Sequence, residues 1–184
     1  MQRIEALNPT TTTGKSKELF EGIEARLGMV PNMMRTMGNS PAVLGAYLNF
    51  SEQLGKSTIG SRLGELIAIS VANANGCEYC NAAHSFIGEK LVGIDKKTLE
   101  LAKEGKSADP KTEAALRFSR KLVAAKGRVS NDDINEVKNA GYSDAAVTEI
   151  IAHTALNIFT NYFNNAIEVE VDFPKSSLVE TAAA

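Results

Sequence analysis

The chain has 184 residues, 43% of them apolar, enough for one domain with a sizeable core and too few for two unless both are small. Its 20 Lys and Arg against 22 Asp and Glu give a formal charge of -2 with no long block of either sign, which argues against nucleic-acid binding. There is no tryptophan, and the 14 glycines are scattered rather than periodic, so collagen-like, disordered and aromatic-platform classes are excluded as well.

The opening segment to Phe20 has no apolar stretch behind Arg3, so it reads as neither a signal peptide nor an amphipathic anchor. No apolar run approaches the ~20 residues of a membrane span, and the expectation is a cytoplasmic protein without membrane contact. Gly14 to Leu27 reads as a helix with Leu19, Phe20, Ile23 and Leu27 on one face, after which VPNMM turns the chain at Pro31. Ser40 followed by Pro41 is a cap with proline at the first helical position, and the helix it opens carries Val43, Leu44, Tyr47, Leu48 and Leu54 before Gly55 or Gly60 ends it.

Arg62 to Asn75 combines Leu63, Leu66, Ile67 and Val71 with many alanines, the pattern of a helix buried around much of its circumference. Gly76 offers a break, and a second helix follows from near Cys77 through Leu91. Asp95 caps a short helix to Lys103, and Asp109 with Pro110 starts another to about Lys126. Ser130 with Asp133 approximates a capping box before a helix to Asn139. Ser143 opens the last long segment, and a polar tail begins at Pro174. Only IEVEVDF, near the end, alternates as a strand would, so the fold class is all-α, with seven to nine helices.

Glycine-rich phosphate loops and the strand-glycine-helix dinucleotide fingerprint are absent, and the sequence calls for no cofactor. Glu65, Ile67, Ala68 and Asn73 overlay Glu149, Ile151, Ala152 and Asn157. After a slip of one residue, Tyr79, Asn81 and Ala83 overlay Tyr162, Asn164 and Ala166. That faint repeat suggests two related helical hairpins.

The chemistry concentrates in ELIAISVANANGCEYCNAAH, residues 65 to 84. Cys77 and Cys80 are the only cysteines, and a chain of this size needs no disulfide staple to fold. At a helix start the free N–H groups favour thiolate, so a reactive dithiol is physically reasonable. His84 stands one turn after Cys80 on the same face, within reach of its proton. Glu65 can join them only if the chain folds back at Gly76. Three readings of the pair stay open: a redox-active dithiol, half of a metal site, or two incidental buried cysteines. A structural zinc site wants four ligands, whereas Cys77, Cys80 and His84 make three; a three-ligand catalytic zinc stays open. Glu65 also fits an ordinary surface or buried paired acid, and His84 a satisfied half-buried histidine. Tyr79 either donates a hydrogen bond in the site or covers the sulfurs, and His153 is either structural or part of the site lining.

These residues resemble a known family. Glu65, Cys77-Glu78-Tyr79-Cys80 and His84 are similar to the motif of the AhpD-like alkylhydroperoxidase branch of the carboxymuconolactone decarboxylase-like superfamily. The stretches LGMVPNMMRTM and SPAVLGAYLNF, between Leu27 and Phe50, and NYFNN at Asn161 to Asn165 extend the likeness over nearly all of residues 20 to 170, the expected core of a single domain. The resemblance implies an all-helical fold, protomers assembled as trimers or hexamers, Cys80 as the peroxidatic cysteine, Cys77 as the resolving one, and Glu65 with His84 as a proton relay. It implies a small hydroperoxide substrate and an external thiol or disulfide reductant. Tyr79 departs from the pattern, because the best-known peroxidase members carry a histidine between the cysteines and the relay here is shorter. The decarboxylase branch generally lacks the dithiol. An apolar helical pocket favours alkyl hydroperoxides over hydrogen peroxide. The competing functions are thiol-disulfide exchange without peroxide reduction, a metal-dependent enzyme, and a non-catalytic helical oligomer.

Overall fold

The computed structural model describes residues 1–179. Among them the chain forms nine helices: α1 (Gly14–Leu27), α2 (Asn32–Met37), α3 (Pro41–Leu54), α4 (Gly60–Ala74), α5 (Glu78–Lys90), α6 (Lys96–Lys103), α7 (Pro110–Ala124), α8 (Asn131–Asn139) and α9 (Asp144–Ile167). No strand is present in the described residues.

The boundaries follow local chemistry. Ser40, Asp95, Asp109 and Ser143 each accept a backbone N–H in the first turn of the helix they precede, and Ser130 with Asp133 closes a reciprocal capping box. The short α2 has no comparable signal, and the VPNMM turn at Pro31 continues directly into it. Its first free N–H, on Asn32, is capped from afar by the carboxylate of Asp172 at 2.7 Å.

Central α4 packs on α5, α6, α7 and α9 and buries ten of its fifteen residues. One core cluster joins Leu63, Leu66, Ile67 and Ile69 of α4 to Leu99, Leu116, Val137 and Ile150 from the later helices. A second gathers Phe20, Ile23, Met33, Met37 and Leu44 from the first three helices around Ala72, Cys77, Tyr79 and Cys80. Each large apolar side chain fully buried this way contributes about 1.5–3 kcal/mol. The cysteines therefore sit in the core formed by the N-terminal helices. α1 can lie close to α2 because Gly38 has no side chain: a Cβ there would run into the ring of Phe20, and Gly38 O accepts from Ser16 Oγ at 2.6 Å.

Three expectations change. Leu27 is 49% exposed rather than turned inward, because α1 ends there and Gly28 redirects the chain in a left-handed conformation. The second hairpin suggested by the repeat is instead one unbroken helix, α9, on which Ile151 and Tyr162 are exposed where Ile67 and Tyr79 are buried. IEVEVDF pairs with no strand: α9 ends at Ile167, Glu168 turns left-handed, and Val169 and Phe173 are apolar anchors of an extended segment.

The polar tail is also tied down through Val179. Asn73 Nδ2 donates to Val179 O and its Oδ1 accepts from Val179 N, while Asn81 Nδ2 donates to Ser176 O at 2.7 Å. Lys103, 1% exposed, donates to Glu100, Ser176 Oγ and Ser177 O, so its buried charge is fully partnered by the segment that covers it.

Candidate active site

The site is built on the α4–α5 hairpin. Gly76 takes a positive φ of 61°, which folds α5 back along α4, and Cys77 becomes the cap of α5 with its sulfur accepting from Cys80 N at 3.4 Å. The hairpin brings Glu65 against His84, with Glu65 Oε2 2.8 Å from His84 Nδ1. Nε2 has no hydrogen-bond partner among the described residues. The Cys80 sulfur accepts from Asn164 Nδ2 at 3.1 Å, and Thr160 Oγ1 stands 3.8 Å away, both from α9.

The two cysteines differ in charge. Cys77 sits at the helix cap, where a thiolate would be expected, yet its thiol is pushed up because it hydrogen-bonds Cys80 and is buried. Cys80 is held below the ordinary thiol range, first by that bond from Cys77 and then, against its own burial, by the positive His84 and the amides of Asn161 and Asn164. Burial works against protonation of His84, but the Glu65 carboxylate beside it and the hydrogen bond they share, together with Cys80, raise it overall. These shifts favour a negative Cys80 and a positive His84, with Cys77 kept as the thiol.

A cavity of about 340 Å³ opens onto this line. Cys80, His84, Glu65, Tyr79 and His153 all line it, so the structure gathers these expected residues at one cavity. Cys77 stays behind the wall, 0% exposed. The remaining lining is mostly apolar, including Met29, Met33, Met34, Ile87 and Phe173.

Tyr79 ties down the surrounding chain: its hydroxyl donates to Asp172 at 2.8 Å and accepts from Met33 N at 3.2 Å. Its ring meets Phe173 edge-on at 5.8 Å. His153 lies 3.1 Å from Ser57 Oγ and is pushed down by burial.

Sequence reasoning missed three contributors. Tyr47 was assigned to an apolar helix face, but it lines the cavity, and burial together with the negative Cys80 and Glu65 keeps its phenol protonated. Asn161 and Asn164 appeared only in the NYFNN stretch and, for Asn164, in the faint repeat, with no role at the cysteines. Three asparagines within five residues of a buried helix were the available signal, since buried amides need partners.

Among the described residues no group of three or more His, Cys, Asp and Glu is arranged to hold a metal, and no helix is long and apolar enough to cross a membrane. The arrangement suits thiol-based redox chemistry: the Cys80 sulfur, its thiol lowered, lines an apolar cavity together with His84, and Cys77 lies behind.

Residues 41–91 match the model of the Carboxymuconolactone decarboxylase family, whereas no curated protein matches the chain. Among solved structures, an uncharacterized peroxidase-related protein from Silicibacter sp. TM1040 is 24% identical over 92% of this chain and 94% of its own, with a TM-score of 0.79. An uncharacterized peroxidase-related protein from Ralstonia eutropha JMP134, described as an alkylhydroperoxidase AhpD core, is 23% identical over 93% of this chain and 92% of its own, with a TM-score of 0.78. The debrominase Bmp8 is 25% identical over 86% of each chain, with a TM-score of 0.72, and a cysteine-to-alanine variant of it is known in complex with 2,3,4-tribromopyrrole.

Proposed function

We propose, for a chain that belongs to the AhpD-like, carboxymuconolactone-decarboxylase-like fold family, that it reduces small apolar hydroperoxides with Cys80 as nucleophile and Cys77 as resolving thiol. The observation that carries this reading is the cavity wall itself, where the thiolate-bearing Cys80 meets His84, held by Glu65 at 2.8 Å.

The Cys80 thiolate attacks the terminal peroxide oxygen, forming an S–O bond as the O–O bond breaks. The departing alkoxide takes a proton from His84 Nε2 and leaves as the alcohol. Glu65 holds the imidazolium in place before transfer, and Tyr47 offers a second protonated donor to the substrate oxygens. The Cys77 thiol then attacks the Cys80 sulfenic acid, forming the disulfide and releasing water. Sulfur loses two electrons and the peroxide gains them. Regeneration needs an external thiol or dithiol, and because Cys80 lines the cavity and Cys77 does not, that thiol would attack Cys80 and displace Cys77.

The likeness to Bmp8 supports a second reading with the same sulfurs. Cys80 would take bromine from a brominated aromatic ring, the ring would gain a proton, and Cys77 would expel bromide as the disulfide forms. The two separate by product. Mixing the reduced protein with cumene hydroperoxide or with 2,3,4-tribromopyrrole should give rapid alcohol formation in the first case and no bromide release in the second. Bromide release without alcohol formation transfers the assignment to dehalogenation, and disulfide exchange with neither product leaves a thiol-disulfide oxidoreductase.

A further inference from the structure

The stretch NYFNN, Asn161 to Asn165, has no role in the steps above, yet three of its side chains converge on the cysteine hairpin. Asn164 is 2% exposed, and its Nδ2 lies 3.1 Å from Cys80 Sγ and 3.3 Å from Met33 Sδ. The two hydrogens of one amide thus serve two sulfurs. Asn165 Nδ2 donates to Asn75 O at 3.0 Å, and Asn75 Nδ2 donates to Asn161 Oδ1 at 2.9 Å. Fixing that oxygen fixes the rest of the Asn161 amide. Its Nδ2, on a residue 0% exposed, is left without a hydrogen-bond partner among the described residues.

An unpartnered buried N–H costs free energy unless an acceptor is supplied. Asn161 lies three residues before Asn164 on the same face of α9, and Asn164 Nδ2 reaches Cys80 Sγ at 3.1 Å, which makes that sulfur the candidate acceptor, in keeping with the lowering of its thiol. A thiolate is a far better acceptor than a thiol, so two buried amide N–H groups suit the charged sulfur.

We propose that Asn161 and Asn164 form an amide cradle for the Cys80 thiolate, with Asn75 and Asn165 as positioning residues that hold the cradle to the turn before Cys77. Neither amide is on the cavity wall, so the cradle grips the sulfur from behind and leaves its front to the substrate. It rests on Cys80 being the reactive thiolate of the proposed function. The cradle also opposes oxidation: a disulfide sulfur carries no charge, so closing the disulfide leaves both amides without a strong acceptor.

The other titratable groups facing this sulfur are Cys77 and Tyr79 beside it, His84 on α5, Glu65 on α4 and Tyr47 on α3. Of these only Cys77 is changed, to Ser in every protein titrated, so the series differs in the asparagines alone. Thiolate absorbance is titrated in the full-length Cys77→Ser protein carrying Asn164→Leu, Asn161→Leu, Asn75→Ala or Asn164→Asp. Each Leu variant should raise the Cys80 midpoint by roughly one unit, Asn75→Ala by less, and Asn164→Asp by more than Asn164→Leu because a carboxylate repels the thiolate. That order is electrostatic, and a packing defect would not reproduce it.

In the two-cysteine protein, equilibration with a glutathione redox buffer at pH 8 should move each Leu variant close to tenfold toward the disulfide, about 30 mV more reducing. Variants that unfold are replaced by Asn164→Gln and Asn161→Gln, where a midpoint nearer wild type than the Asp variant supports the cradle. Midpoints and redox ratios unchanged across folded variants overturn it. Cumene hydroperoxide turnover, measured in parallel, reports on the underlying reading separately: a shifted series without turnover keeps the cradle and removes the peroxidase, and a flat series with turnover does the reverse.

Discussion

At the residue scale, the proposed mechanism makes reactivity depend on Glu65 acting through His84 on Cys80. The hydroperoxide reaction needs Cys80 deprotonated and His84 protonated, so its rate should rise through the lowered Cys80 value of about 6 and fall as pH passes the raised value of His84. Glu65→Gln removes the charge that raises His84, so the alkaline limb should move to lower pH while the acid limb moves less. His84→Ala should raise the acid limb and lower the plateau by roughly 100- to 10,000-fold, as expected of a lost proton donor. Single-turnover rates across pH check both, and an unchanged profile in Glu65→Gln contradicts the relay. The cysteines and His84 were legible because their relation is local: three and four residues on one helix share a face. Tyr47 and the asparagines were not, since nothing in α3 or α9 taken alone shows which residues face a cysteine on α5.

At the element scale, the α4–α5 hairpin decides whether Glu65 meets His84 at all. Gly76 was legible as a break, and the structure shows why it is glycine: φ of 61° costs a residue with a side chain about 1–2 kcal/mol. Gly76→Ala should lower the thermal midpoint by roughly 2–8 °C. It should also slow the hydroperoxide reaction, because the turn sets the position of Cys77 as well as of α5. Differential scanning calorimetry with single-turnover kinetics tests this; a full rate in a destabilised variant would mean that the hairpin tolerates the displacement.

Most helix limits could be read for a similar reason, since caps such as Ser40, Asp95 and Ser130 act within one turn. The short α2 could not, because its cap, Asp172, comes from 140 residues away. The faint repeat misled because Asn73 and Asn157, though both buried, occupy different settings. Asn73 holds the tail at Val179, whereas Asn157 donates back to His153 O within an unbroken helix.

At the scale of the whole molecule, the two ends of the chain close the cavity. The segment around α2 supplies Met33 and Met34, the C-terminal segment supplies Phe173, and Tyr79 joins both through Met33 N and Asp172. An apolar helical pocket was expected once the family resemblance was drawn, but its walls combine residues from Leu27 to Phe173 and depend on long-range packing that no local pattern encodes. The result is a buried thiolate reached through an apolar cavity, with its resolving partner kept out of that cavity.

The central claim concerns which sulfur receives the peroxide oxygen, and one measurement addresses it directly. Reduced Cys77→Ser protein is treated with a single equivalent of cumene hydroperoxide in the presence of a sulfenic-acid trap, then digested and read by mass spectrometry. The account predicts the trapped adduct on Cys80, with an equal amount of alcohol formed. Absence of the Cys80 adduct while hydroperoxide persists, or oxygen found only on the cavity methionines, would contradict it.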